Sequence, residues 1–297
     1  MNDSTPYYAD EHVILHHGDA LNVVSTLPDE SIDCIVTSPP YFNLRDYGND
    51  GQLGTEATVH AFVDNLVAIF REARRTLSDD GTFWLNLGDS YGDSKQLRGV
   101  PWRVALALQD DGWILRNDII WHKPNAMPES PKDRLSGRHE HMFMFTKSPR
   151  YWFDLDPIRE PASEASIARS KYGNAKQRSG SGPALPGEQR DKYQAWDPTN
   201  LLTKGCNPGD VWTIATTPFK GAHFATFPLE IPRRAIASGC KPGGTVLDMF
   251  NGSGTTGAAA QTLGRKYVGV DINADYLDLT LNTRLQNGVL DIFGGAA

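Results

Sequence analysis

The run Thr37–Tyr41 combines hydroxyl groups, two prolines and an aromatic ring directly after an apolar stretch. Proline has a fixed φ angle and no backbone N–H, so Pro39 and Pro40 leave carbonyl oxygens standing out as hydrogen-bond acceptors. With the Ser38 hydroxyl beside them and the Tyr41 ring after them, these residues could form a slot for a planar ring that carries an amine. The same composition is also typical of a turn that ends a strand.

A second run, Asp248–Thr256, has the composition of a loop that binds a nucleotide-like cofactor. Gly252 and Gly254 allow a tight turn and a close approach of the backbone to a ligand. A predicted helix follows, and its first N–H groups favour an anionic group. Asp271 ends the next predicted strand, where a carboxylate can accept hydrogen bonds from ribose hydroxyls. The glycine spacing differs from that of dinucleotide and Walker motifs, which disfavours hydride and phosphoryl transfer.

Strands must position both runs, because each run lies at the end of a predicted strand. The predicted strands are Ile32–Thr37 and Thr245–Phe250, and Tyr267–Asp271 is a third. His60–Leu77 has the apolar spacing of an amphipathic helix. Strand and helix patterns alternate through most of the chain. We therefore predict an α/β fold with a mostly parallel sheet and helices on both faces.

The composition excludes several classes of protein. Hydrophobic residues make up 39% and charged residues 22%, which excludes a wholly disordered or coiled-coil chain. No run of about 18 apolar residues predicts a transmembrane helix, and the first residues lack the features of a signal peptide. The three cysteines form no C-x-x-C pair and no disulfide framework. These features predict a reduced, cytoplasmic protein.

The net charge of −7 argues, at first sight, against a nucleic-acid partner. The charge is unevenly distributed, however. Residues 1–97 hold sixteen acidic and five basic side chains, whereas residues 165–192 hold two acidic and six basic ones. The acidic total therefore conceals a basic middle segment that is compatible with binding DNA.

The two runs together resemble those of the S-adenosylmethionine (AdoMet)-dependent DNA amino-methyltransferases, which methylate cytosine N4 or adenine N6. The matching residues are Thr-Ser-Pro-Pro-Tyr at 37–41 and Phe-Asn-Gly-Ser-Gly-Thr-Thr at 250–256. This order, with the catalytic motif first and the cofactor motif last, is that of the permuted beta group. Weaker matches are Gly18-Asp19, Asn86-Leu87-Gly88-Asp89 and the run 223–228.

The resemblance implies a circularly permuted, Rossmann-like AdoMet-dependent methyltransferase fold and a direct transfer of the methyl group to the amine of a flipped-out base. No metal, flavin or nicotinamide is expected. The implied catalytic residues are Ser38, Pro39, Pro40 and Tyr41. The implied cofactor-binding residues are Asp19, Thr226, Phe227, Asp248, Phe250, Gly252, Ser253, Gly254, Thr255 and Asp271.

The base that is methylated is suggested by Ser38. Adenine-N6 members of this family usually carry Asp at that position, while cytosine-N4 members usually carry Ser. The pair Phe227-Pro228 is also more similar to the cytosine-N4 pattern. Methylation at cytosine C5 needs a thiolate nucleophile, normally in a Pro-Cys context, and none of the three cysteines has that context. We expect cytosine N4, with adenine N6 as the alternative, because this residue does not strictly set the base.

One core with an inserted segment accounts for the 297 residues. We predict a catalytic core at 1–150 and 211–297, and a target-recognition segment at 151–210, where the family carries one. Basic side chains there could contact phosphates and guanine edges of double-stranded DNA, although a solvated linker would have the same composition. The candidates are Lys171, Tyr172, Lys176, Arg178, Arg190, Lys192 and Trp196.

Two other functions fit the order and presence of these motifs less well. An RNA or protein methyltransferase would usually place its cofactor loop before the Pro-Pro-Tyr motif, and a non-catalytic DNA-binding module would not need both motifs. The run His139–His141 has the composition of a metal cluster, but adjacent side chains on a strand point to opposite faces. A paired restriction endonuclease and a homodimer are both compatible with the expected function.

Overall fold

The structure is a computed structural model that describes residues 5–44, 51–165, 167, 204–217 and 227–285. Its internal contacts divide the chain into two units, of which one comprises Met1–Asp154 with Asp210–Ala297 and the other Leu155–Gly209. Within the described ranges, no helix is long and apolar enough to cross a membrane.

The first unit is built on a mixed β-sheet. Its strands are β1 (Tyr8–Ala9), β2 (Val13–His17), β3 (Ile32–Thr37), β4 (Leu77–Leu87), β5 (Ile114–His122), β6 (His139–Thr146), β7 (Val211–Thr213), β8 (Thr245–Asp248) and β9 (Lys266–Asp271). In the described part of the chain they pair in the order β1-β2-β9-β8-β3-β4-β6-β5-β7. The run from β2 to β4 is parallel throughout, whereas β6 is antiparallel to both β4 and β5.

Helices cover both faces of this sheet. Alternate residues of the central strands point to opposite faces, and the apolar side chains on each face are buried by the helices that pack against it. On one face, Ile35 and Leu247 pack in a cluster with α1 (Ala20–Val24), α2 (Val59–Thr76) and α3 (Val100–Asp110). On the other, Cys34 and Val246 pack with helices that follow residues 151–210 in the sequence. These are α4 (Glu230–Gly239), α5 (Thr255–Thr262) and α6 (Ala274–Thr280). The predicted α/β fold with a mostly parallel sheet is thus confirmed.

The second unit is described only near its two ends. Its first residues form a short 3₁₀ turn, Asp156–Ile158, and Asp156 forms ion pairs with Arg159 and Lys204. Glu160 and Cys206 exchange two backbone hydrogen bonds. All seven candidate DNA-contacting residues of this segment lie outside the described residues, so their role stays a prediction.

Candidate functional site

The order of the central strands brings the two sequence motifs together. Strand β8 lies between β9 and β3, and all three are parallel. Their carboxyl ends therefore meet at one edge of the sheet, where open α/β sheets bind ligands. A cleft that is partly open to solvent lies at this edge. The predicted site residues that line it are Asp19, Ser38, Pro39, Pro40, Tyr41, Phe227, Asp248, Phe250, Gly252, Ser253, Thr255 and Asp271.

Asp248 joins the two motifs through its carboxylate. Thr37, at the end of β3, donates to one oxygen at 2.6 Å, and Thr256, at the start of α5, donates to the other at 2.7 Å. The backbone N–H of Phe250 donates a third hydrogen bond. Burial raises the pKa of Asp248, and these three donors act in the opposite direction. Because protein donors occupy three of the about four acceptor sites of this carboxylate, we infer that Asp248 acts on the cofactor loop mainly by fixing its shape.

Gly254 directly precedes the first residue of α5 and has the left-handed conformation, with a φ of 75°. A Cβ atom at this position would lie 2.4 Å from Cγ2 of Thr280. The Thr280 hydroxyl donates to the Gly252 carbonyl and accepts from the Asn251 amide. Gly254 is not among the residues that line the cleft, and Thr226 lies outside the described residues. The second loop glycine is thus needed for close packing of the loop on α6.

We expect Gly254→Ala to lower the free energy of unfolding by about 2–4 kcal/mol, since it adds a steric overlap to an unfavourable φ angle. Gly264→Ala is the matched control, because Gly264 also has a positive φ of 66° but nothing within 4 Å of the added Cβ. Urea unfolding of both variants measures the difference. Equal losses in the two variants would show that the contact with Thr280 does not constrain the loop.

Asp271, at the end of β9, lies buried in the wall of the cleft. The backbone N–H groups of Gly252 and Asn273 donate to its two oxygens at 2.7 and 2.9 Å. Burial raises the pKa of Asp271 to about 6, although these two hydrogen bonds favour the ionised form. A carboxylate has about four acceptor sites, so Asp271 keeps the capacity to accept from ligand hydroxyls.

The Ser-Pro-Pro-Tyr side of the cleft holds its polar groups in a defined arrangement. The Tyr41 hydroxyl donates to Oε2 of Glu140 at 2.7 Å, and Ser38 Oγ lies 3.4 Å from Oδ1 of Asn86. The Tyr41 ring lies directly against Gly88, where a Cβ atom would come within 2.5 Å of Cε2. The Ser38 hydroxyl and the Tyr41 ring are thus positioned by contacts with β4, β6 and Gly88.

Sequence reasoning did not identify several residues of this site. Asn86 was noted only as part of a weak family match, and Glu140 only within a metal-like run. Their contacts with Ser38 and Tyr41 depend on β6 lying beside β4, which local patterns do not reveal. On the cofactor side, Ile272, Asn273 and Tyr276 also line the cleft. Their position directly after Asp271 was the available signal.

Comparisons with known proteins show the family of the chain. The family model N6_N4_Mtase, described as DNA methylase, matches residues 32–282. The chain is 42% identical over 300 residues to the Type II methyltransferase M.Cfr9I of Citrobacter freundii, covering 92% of this chain and 87% of that protein. It is 41% identical over 290 residues to the Type II methyltransferase M.SmaI of Serratia marcescens, covering 88% and 87%.

Two solved structures share the fold. PvuII DNA methyltransferase, described as cytosine-N4-specific, superposes with a TM-score of 0.69 at 23% identity, covering 96% of this chain and 90% of that one. A protein of Thermus thermophilus, described as a putative DNA modification methylase and solved with S-adenosyl-L-methionine, has a TM-score of 0.59 at 27% identity, covering 91% and 93%.

Proposed function

The chain belongs to the DNA methylase family of AdoMet-dependent N4/N6 amino-methyltransferases, and we propose that it methylates the exocyclic N4 amine of cytosine in double-stranded DNA. The choice of base rests on Ser38, which has a hydroxyl group where adenine-N6 members usually have a carboxylate. The names of the similar Type II methyltransferases favour a paired restriction endonuclease.

The cleft fits AdoMet at its glycine-loop side. The buried Asp271 carboxylate is suited to accept hydrogen bonds from the ribose hydroxyls. The loop from Phe250 to Ser253 is suited to contact the rest of the nucleoside. Phe227 and Asp19 also line this cleft. AdoMet, when bound, supplies a methyl group that its positively charged sulfur activates for attack by an amine.

On the other side, the chain holds and activates the target amine. A cytosine amine is a poor nucleophile because its lone pair is delocalised into the ring. Ser38 Oγ and the Pro39 carbonyl would accept its two N–H bonds and favour tetrahedral geometry at nitrogen, while the Tyr41 ring stacks on the base. A base must leave the duplex to reach this slot, at a cost of roughly a few kcal/mol. Positioning of the amine against the methyl group supplies most of the acceleration.

Product identification tests this proposal. The protein is incubated with methyl-labelled AdoMet and duplex DNA, the DNA is digested to nucleosides, and the labelled nucleoside is identified by mass. We expect N4-methylcytosine. Label in N6-methyladenine would overturn the choice of base while leaving amino-methylation intact, and label in 5-methylcytosine or no label in DNA would overturn the mechanism. RNA of the same sequence serves as the control substrate and is expected to stay unlabelled.

The raised pKa of Asp271 predicts that AdoMet binding depends on pH. Ribose hydroxyls donate to the carboxylate, so the ionised form binds better, and with a pKa of about 6 the Kd should rise about tenfold from pH 7 to pH 5. The effect of pH on the stability of the fold has the opposite sign. The contribution of the Asp271 carboxyl to the free energy of unfolding is fully present below its ordinary pKa of 3.8 and is lost as the pH rises through about 6.

Calorimetric titrations across this pH range measure the effect on binding. Asp271→Asn, which cannot ionise, should bind more weakly and with a Kd that changes little with pH. A wild-type Kd that stays constant from pH 7 to pH 5 would contradict the assignment of Asp271 to the ribose.

A further inference from the structure

A network of hydrogen bonds lies behind the amine slot and extends from Ser38 to a charged pair. Ser38 Oγ lies 3.4 Å from Oδ1 of Asn86, and Nδ2 of Asn86 donates to Oε2 of Glu140 at 3.1 Å. Tyr41 donates to the same carboxylate oxygen. The other oxygen of Glu140 forms an ion pair with Lys123. The Glu140 and Lys123 side chains are only 15% and 18% exposed, so solvent screens this pair less than it would a surface pair.

The contacts of Asn86 determine which way its amide group points. Nδ2 faces Oε2 of Glu140 and the carbonyl oxygen of His141, both at 3.1 Å. An ionised carboxylate and a carbonyl only accept hydrogen bonds, so the amide atom that faces them must be the nitrogen. The amide oxygen of Asn86 then necessarily faces the hydroxyls of Ser38 and Tyr41.

This orientation decides how the Ser38 hydroxyl is used. The single proton of Tyr41 goes to Glu140, which is charged and nearer, at 2.7 Å compared with 3.3 Å to Asn86. The amide oxygen of Asn86 is therefore left to accept the proton of Ser38. That contact is long at 3.4 Å, as catalytic hydrogen bonds often are before the substrate is bound. With its proton turned toward Asn86, Ser38 Oγ presents its lone pairs to the target amine.

We propose that Glu140 is a positioning residue for methyl transfer: through Asn86 and Tyr41 it turns the Ser38 hydroxyl into an acceptor for the target amine. The inference rests on the proposed amino-methylation but not on the choice between cytosine and adenine. Glu140 itself touches neither substrate nor cofactor in this account. Its carboxylate accepts from Tyr41, Asn86 and Lys123 at once, which an amide of the same shape cannot do.

Glu140→Gln tests the proposal because it preserves the shape of the side chain and removes one acceptor. We expect the single-turnover rate of DNA methylation to fall about 10- to 100-fold. Losses of this size are typical when a group that orients a metal ligand through a hydrogen bond is removed. The Kd for AdoMet should stay within about twofold, because Glu140 does not line the cleft. Glu129→Gln is the matched control, since Glu129 pairs with Arg134 in the connection between β5 and β6, outside the network, and should keep the wild-type rate.

A double-mutant cycle with Ser38→Ala separates positioning from a merely structural role. If Glu140 acts through Ser38, Glu140→Gln should slow the reaction by less than about twofold in the Ser38→Ala background. Equal losses in both backgrounds, or a wild-type rate for Glu140→Gln, would overturn the proposal. If Glu140→Gln does not fold, Asn86→Leu removes the link itself and must show the same dependence on Ser38. Product identification on the wild type is independent of these ratios, so a failure of the proposed function is recognised separately.

Discussion

Ser38→Ala is expected to slow methyl transfer by about 10²- to 10³-fold, the usual cost of losing one preorganised hydrogen-bonding group at a reacting centre. The alanine can no longer accept an N–H bond of the target amine, whose lone pair then stays delocalised. AdoMet affinity should stay within about twofold, because the neighbouring Thr37, and not Ser38, holds the carboxylate of Asp248 in the cofactor loop. Single-turnover rates and calorimetric titration measure the two effects separately.

Ser31→Ala is the matched control for this variant. Ser31 lies just before β3, at the opposite end of the strand from Ser38, and its hydroxyl donates to the local carbonyl of Pro28. This control should keep the wild-type rate. A Ser38→Ala protein that methylates DNA at the wild-type rate would show that the amine is activated elsewhere.

Asp271→Asn is expected to have the largest effect on cofactor binding, with an AdoMet affinity about 100-fold lower than that of the wild type at pH 7.5. Hydrogen bonds to a charged acceptor contribute about 1.5–3 kcal/mol, and about 1.4 kcal/mol corresponds to a factor of ten. The amide would also oppose one of the two backbone N–H groups, of Gly252 or Asn273, that now donate to the carboxylate. Titration calorimetry of AdoMet measures the change.

Asp275→Asn provides the control for the loss of one negative charge near the cleft. Asp275 lies in the first turn of α6, is exposed, and does not line the cleft. The AdoMet affinity of the Asp275→Asn protein should equal that of the wild type. If Asp271→Asn also binds AdoMet with the wild-type affinity, the ribose lies elsewhere in the cleft.

Much of this site could be predicted from the sequence because its motifs stand where strands end. Ser38, Asp248 and Asp271 each lie at or just after the carboxyl end of a strand with a clear apolar pattern, and parallel pairing brings those ends together. The boundaries were less certain. The strand predicted to reach Phe250 ends at Asp248, where the carboxylate accepts from the Phe250 N–H and the chain turns.

The rest depended on pairings between distant segments. Glu140 lies near Tyr41 because β6 runs antiparallel between β4 and β5, and no local periodicity encodes that order. Gly254 was expected to approach the cofactor, yet its close neighbour is Thr280, whose helix packs behind the loop. The inward orientation of Asp248 likewise follows from Thr37 and Thr256, which are distant from each other in the sequence. Periodicity predicts elements, whereas such contacts require the assembled sheet.

The most direct test of this mechanism is the structure of a ternary complex with S-adenosylhomocysteine and a duplex that contains the mapped methylation site. We expect an extrahelical cytosine stacked on Tyr41, with its N4 amine within hydrogen-bond distance of Ser38 Oγ and the Pro39 carbonyl and facing the cofactor sulfur. A target base that stays stacked in the duplex, or an amine placed away from Ser38, would contradict it.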